Sequence, residues 1–143
     1  MRIAVSACLL GICCKYNGGH NRSEALLKRL KGHEVYPVCP EQLGGLPTPR
    51  TPAEIVNGVV TDRNGRDVDE AFRAGAEKAL RTVLDAGAEL AVLQSRSPSC
   101  GPLQVYDGTF TGTLREGEGV FARMLRENGV RVLDIEDLPE NGF

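Results

Sequence analysis

A chain of 143 residues is the size of one ordinary domain with one substantial core, so residues 1–143 are read as a single α/β domain. A net charge of −2 excludes the basic footprint of a nucleic-acid polymer binder, and no apolar run approaches the roughly 18 residues that a membrane span needs. Five cysteines, in a chain that opens on Met1-Arg2-Ile3 without an apolar leader, point to a reduced, cytoplasmic protein whose thiols bind metal or react, rather than to a disulfide framework.

The first strand is expected over about residues 2 to 7, followed by a loop from Cys8 to His20 that holds three glycines and an Asn-Gly pair. Asn21, with Glu24 three residues on, reads as the N-cap of a helix whose apolar stripe is Leu26, Leu27 and Leu30 and which stops near Gly32. A second strand covers Glu34 to Cys39. From Pro40 to Pro52 four prolines and two glycines exclude helix interior and central strand, leaving a long ordered loop or a lid, with 46–52 its proline-rich part.

Asn57-Gly58 between apolar pairs signals a tight hairpin over 55 to 62. The longest helix runs from an Asp67 cap, with Glu70 at the capping-box position, to Gly87, and carries Val68, Phe72, Ala76, Ala79, Leu80 and Val83 on one face. A third strand, Ala88 to Gln94, leads into Ser97-Pro98-Ser99-Cys100-Gly101. Asp107-Gly108 marks a second hairpin, a last helix spans about 117 to 128, and Val130 to Ile135 form the last strand. Short apolar strands alternating with helices give a three-layer sandwich around a small, mostly parallel, Rossmann-like sheet with hairpin excursions.

Cys8, Cys39 and Cys100 each follow an apolar run read as a buried strand, namely Ile3 to Val5, Val35 to Val38 and Leu90 to Leu93. If these strands are parallel neighbours, the three thiols meet at the carboxyl edge, where open α/β sheets bind ligands. Free cysteine is also a common buried small hydrophobe, but strand-end placement at Gly- and Pro-marked loops favours a shared site. Three thiolates with one open position suit catalytic zinc or an iron-sulfur cluster, and the pattern alone does not choose.

Glu41, two residues past Cys39, can project toward that crevice and serve there as a proton-transfer group; otherwise it is a solvated loop carboxylate or a helix N-terminal charge. Ser97 and Ser99 flank Pro98 before Cys100, where their hydroxyls can bind sulfur or a carbonyl; otherwise they are ordinary turn formers. Lys15, Tyr16 and His20 are weaker candidates for the mouth, His33 is read as structural, and the vicinal pair Cys13-Cys14 is left without a role. The chain has no G-x-G-x-x-G, Walker A, H-E-x-x-H or G-x-S-x-G pattern.

At Ser6-Ala7-Cys8-Leu9-Leu10-Gly11, Cys39-Pro40-Glu41 and Ser97-Pro98-Ser99-Cys100-Gly101, and from the first strand to about residue 137, the chain resembles a bacterial family long filed as a domain of unknown function, whose characterised members are thiouracil desulfidases. The resemblance implies an oxygen-sensitive [4Fe-4S] cluster held by Cys8, Cys39 and Cys100 with one open iron. It implies a non-redox desulfidase that replaces C=S by C=O in a small thiolated nucleobase such as 2-thiouracil and releases hydrosulfide, with Glu41 as base and Ser97 or Ser99 orienting the substrate. The rival readings are a zinc-thiolate hydrolase and a non-catalytic cluster or sulfur carrier. Family members often carry a lysine just before Ser-Pro-Ser-Cys, where this chain has Gln94-Ser95-Arg96.

Overall fold

The computed structural model describes residues 1–143. Four parallel strands form the main sheet in the order β2-β1-β5-β8: β1 is Arg2–Ser6, β2 Glu34–Val38, β5 Leu90–Leu93 and β8 Arg131–Asp134. Two antiparallel hairpins stand apart from it, β3 (Ala53–Val56) with β4 (Val59–Asp62), and β6 (Gln104–Tyr106) with β7 (Leu114–Glu116). The helices are α1 (Glu24–Leu30), α2 (Pro40–Leu43), α3 (Asp69–Ala86) and α4 (Val120–Glu127).

Alternation along the central strands builds the layers. Ile3 and Val5 of β1 and Leu90 and Val92 of β5 pack with Leu26 and Leu30 of α1 on one face. Ala4, Ala91 and Leu93 point the other way, against Phe72, Ala76, Ala79 and Val83 of α3 and Phe121 and Leu125 of α4. Helices therefore cover both faces, as the near-continuous apolar runs of β1 and β5 require. Small alanines on the α3 face let the large side chains of α3 and α4 seat close to the sheet, each fully buried Leu or Phe contributing about 2 kcal/mol relative to exposure.

Local expectations hold with corrections at the element ends. Ser23, not Asn21, caps α1, accepting from the amide of Leu26 at 3.2 Å. The residue at the N-cap of α3 is Val68; the Asp67 carboxylate instead accepts the amide of Asp69 at 2.9 Å, so the helix opens one residue later than its acidic signal suggests. Within the segment read as loop, Pro40 starts the one-turn helix α2, because a missing N–H costs nothing at a first helical position. β2 is an edge strand and only half-buried, which accommodates Pro37 in its middle. The Asn57-Gly58 turn forms as expected, with both residues at positive φ, whereas the second hairpin is held open by the seven-residue connection 107–113 rather than a tight Asp-Gly turn.

β1 and β5 are neighbours, while the chain leaves β1 for β2 on the opposite side. The strand order thus reverses at β1, and the crevice beyond its carboxyl end is where this architecture takes ligands.

Candidate active site

A cavity of ≈ 470 Å³ opens at that edge, and Cys8, Cys39, Cys100, Glu41, Ser97 and Ser99 all line it. Each arrives on a different support. Cys8 sits in a 3-10 turn directly after β1, Cys39 at the N-cap of α2 directly after β2, and Cys100 in the turn between β5 and β6. Parallel pairing in register, with Ser6 opposite Val38 and Val5 opposite Val92, brings the three strand ends level.

A fourth thiol joins them. Of the vicinal pair, Cys13 is exposed, but Cys14 is buried beside Cys8 and Cys39: the Cys39 thiol donates to the Cys14 carbonyl at 3.9 Å, and the neutral Cys14 thiol favours the thiolate form of both neighbours. The Cys14 thiol, helped by the Gln42 amide and by Arg50 and opposed by burial, lowers Cys39 to about 7. Cys8 is lowered for the same first reason, with Asn21 Nδ2 adding a donor at 3.6 Å from its sulfur. Cys14 itself is pushed far up, since the two thiolates beside it and its burial both favour its neutral form. Full burial likewise raises Cys100, against the opposing hydroxyls of Ser6 and Ser99.

Glu41 and the two serines form a directional hydrogen-bond chain. Ser97 Oγ accepts the amides of Ser99 (3.1 Å) and Cys100 (3.0 Å), which leaves its proton for Ser99 Oγ at 2.9 Å. Ser99 in turn donates to Glu41 Oε2 at 2.8 Å and lies 3.8 Å from Cys100 Sγ. Glu41 Oε1 accepts from Arg50 Nε at 3.0 Å, in an ion pair whose side chains are 7% and 15% exposed.

Arg50 belongs to the proline-rich segment. It also donates to the carbonyls of Cys14 (2.8 Å) and Pro47 (3.2 Å) and to Thr48 Oγ1 (3.0 Å), so this segment is tied down as a wall of the cavity. Lys15 and Tyr16 line the mouth; His20 does not, its ring accepting the Arg22 amide instead. His33 is structural as expected, bonded to the N-terminal amine and edge-on to Phe143. Arg96 reaches the cavity and pairs with Glu136.

Sequence reasoning missed Cys14, Asn21 and Arg50 as site residues, along with Glu54 of β3, which lines the same cavity. A lone Arg inside a proline-rich segment carries no motif, and the fate of Cys14 depends on which of two adjacent side chains turns inward.

No three His, Cys, Asp or Glu side chains converge on one point in this structure. Thiols that surround a cavity from three strand ends without meeting suit a polynuclear cluster, whose cysteine ligands bind separate irons. The donor set fits a [4Fe-4S] group.

Comparison with known proteins bears on the same point. A family model described as 2-thiouracil desulfurase matches residues 3–137. The uncharacterized protein YbbK of Bacillus subtilis (strain 168) is 40% identical over 146 residues, covering 95% of this chain and 97% of the relative. A solved structure of a [4Fe-4S]-dependent thiouracil desulfidase, TudS, superposes with a TM-score of 0.91 at 42% identity, covering 97% of this chain and 93% of the other. Matched by the family model from residue 3 to residue 137 and sharing its fold with a solved structure at 42% identity, this chain belongs to the 2-thiouracil desulfurase family.

Proposed function

We propose that the protein is a [4Fe-4S]-dependent desulfidase that converts a small thiolated nucleobase such as 2-thiouracil, with water, to the oxo base and hydrosulfide. The observation that carries this reading is the placement of three strand-end thiols and a Glu41–Ser99–Ser97 hydrogen-bond chain around one cavity, in a member of this family. Cys8, Cys39 and Cys100 would hold the cluster, with Cys14 beside two of them. When bound, the cluster supplies an open iron, a soft Lewis acid for a thiocarbonyl sulfur.

The chain's own groups supply the proton chemistry. Glu41 accepts the proton of the water that attacks the thiocarbonyl carbon, directly or through Ser99. Arg50 fixes one carboxylate oxygen, so the other faces Ser99. Ser97, its oxygen saturated by two amides, orients Ser99 rather than carrying the proton. The sum, C=S plus water giving C=O plus hydrogen sulfide, moves no net electrons.

The test is purification without oxygen, assay of iron and acid-labile sulfide, and the visible spectrum before and after 2-thiouracil, with uracil and hydrosulfide measured. Iron and sulfide in cluster proportion, a spectral change and both products are expected. Cys8→Ala, Cys39→Ala and Cys100→Ala should each lose the cluster, while Glu41→Gln should keep it and turn over on the order of 100-fold more slowly. A loaded protein that leaves 2-thiouracil unchanged would overturn the reading.

A further inference from the structure

The connection between β6 and β7 holds an unusual backbone. Phe110 lies at φ +57°, a left-handed conformation that bulky residues rarely adopt. Gly108, at φ +92°, is so close to the β3–β4 hairpin that a Cβ would stand 2.7 Å from the Ile55 carbonyl oxygen. Both are held by one side chain. Glu54, 9% exposed on β3, accepts the amides of Gly108 (3.0 Å) and Phe110 (3.1 Å) on the same oxygen, Oε1. A buried carboxylate whose hydrogen-bond partners are two loop amides is costly unless the loop conformation it enforces is needed.

Glu54 and Phe110 both line the thiol cavity. The walls contributed by Ser97, Ser99, Glu41 and Arg50 are polar and hydrogen-bond one another, so they offer a flat heteroaromatic ring edge contacts but no face. Phe110, only partly buried, offers a face. Base rings stack on aromatic side chains whatever their exocyclic groups.

Resting on the desulfidase reading, we propose that Glu54 is a positioning residue that fixes Phe110 as the aromatic wall against which the substrate ring packs. The site then selects planar ring thiocarbonyl compounds over open-chain thioamides.

The test compares the reconstituted holoenzyme with Phe110→Ala, Phe110→Trp, Glu54→Ala and Glu54→Gln, using 2-thiouracil and thioacetamide as substrates and saturation-transfer NMR of uracil as a turnover-independent measure of binding. Phe110→Ala should raise KM for 2-thiouracil about tenfold with kcat within about twofold and weaken uracil binding by a similar factor, and should lower kcat/KM for thioacetamide by a clearly smaller factor than for 2-thiouracil. Phe110→Trp should restore KM. Glu54→Ala should copy Phe110→Ala, and Glu54→Gln, which keeps an acceptor oxygen, should rescue it. Unchanged KM and uracil binding in Phe110→Ala would overturn the aromatic wall; a folded Glu54→Ala with native KM would overturn the positioning role. Should Glu54→Ala fail to fold, the Phe110 pair and Glu54→Gln decide. If the parent holoenzyme leaves 2-thiouracil unconverted, the desulfidase reading falls by itself: uracil binding that weakens in Phe110→Ala sustains the wall, and uracil binding that is equal or absent in both overturns it.

Discussion

The guanidinium of Arg50 spends its donors on four acceptors: Glu41, Thr48 and the carbonyls of Pro47 and Cys14. Removing it leaves the Glu41 carboxylate without its counter-charge and the Cys14 carbonyl without its guanidinium donor, so Arg50→Ala should destabilise the protein by about 3 kcal/mol. It should also free Glu41 to rotate away from Ser99, slowing turnover roughly 100-fold, the scale of a misplaced catalytic group. Arg50→Lys, a point charge without the planar fork, should fall between. Thermal melts and kcat measure the two effects separately; a variant with native melting and native turnover would show that the four contacts hold nothing in place. Arg50 also marks how far single residues were legible. Glu41, Ser97 and Ser99 could be found because each lies within three residues of a strand-end cysteine. Arg50 meets Glu41 from nine residues away and Cys14 from thirty-six, a meeting set by how the proline-rich segment folds back and not by any local pattern.

The short α2, which starts immediately after Cys39 and carries Glu41, is positioned by backbone contact with α3. A Cβ on Gly75 would lie 1.8 Å from the Pro40 carbonyl oxygen, and one on Gly44 would lie 2.1 Å from that of Ala71. Gly75→Ala is therefore a clean conflict of terms. Helix propensity favours alanine by about 1 kcal/mol, but the clash must push α2 off α3. The expected outcome is a net loss of roughly 1–3 kcal/mol and reduced iron per chain, because Cys39 and Glu41 move with α2. Melting and iron assay check it; a stabilised, fully loaded variant would mean the helices are not so closely packed. At the other side of the same helix, Asp69 accepts the Val60 amide at 2.9 Å and pairs with Arg73. Burial acts to raise its pKa, yet the Arg73 guanidinium and the amide outweigh it and hold the carboxyl below its usual 3.8. A depressed value means the folded state binds fewer protons, so the stabilisation is present above pH about 4 and is lost as pH falls through the folded value. The stability gap between the parent and Asp69→Asn should be about 1 kcal/mol at pH 7 and should shrink at pH 3, as denaturant titrations would show. Element types other than that of α2 were legible because apolar period and Gly punctuation are local; element ends were not, since Ser23 takes the cap of α1 from Asn21, and the N-cap of α3 falls on Val68, which makes no side-chain bond, while the Asp67 carboxylate accepts the Asp69 amide.

Across the whole molecule, convergence of three cysteines was legible only as a conditional: given parallel neighbouring strands, their ends had to meet. The order β2-β1-β5-β8 supplies that condition, and it also separates two jobs. The apolar cores on the two faces are built mainly from strand and helix interiors; of the proposed ligands, Cys100 belongs to one and Cys8 packs against the other. Folding therefore does not wait for the cluster, unlike small metal-dependent domains that unfold without their ion. Both cores share β1 and β5, so we propose that residues 1–143 form a single domain that unfolds as one unit. The ligands proposed at three strand ends would still couple binding to stability, because a group that binds only the folded chain stabilises it by mass action. Removing the cluster anaerobically with a chelator should leave the far-ultraviolet circular dichroism unchanged and lower Tm by several degrees, about 4 °C or more for each 2 kcal/mol at this size. The parent and Cys100→Ala should then melt alike once both are cluster-free, within about 1–2 kcal/mol for a lost buried thiol. A cluster-free chain without secondary structure would overturn the separation of core from site, and an unchanged Tm would overturn ligation by strand ends.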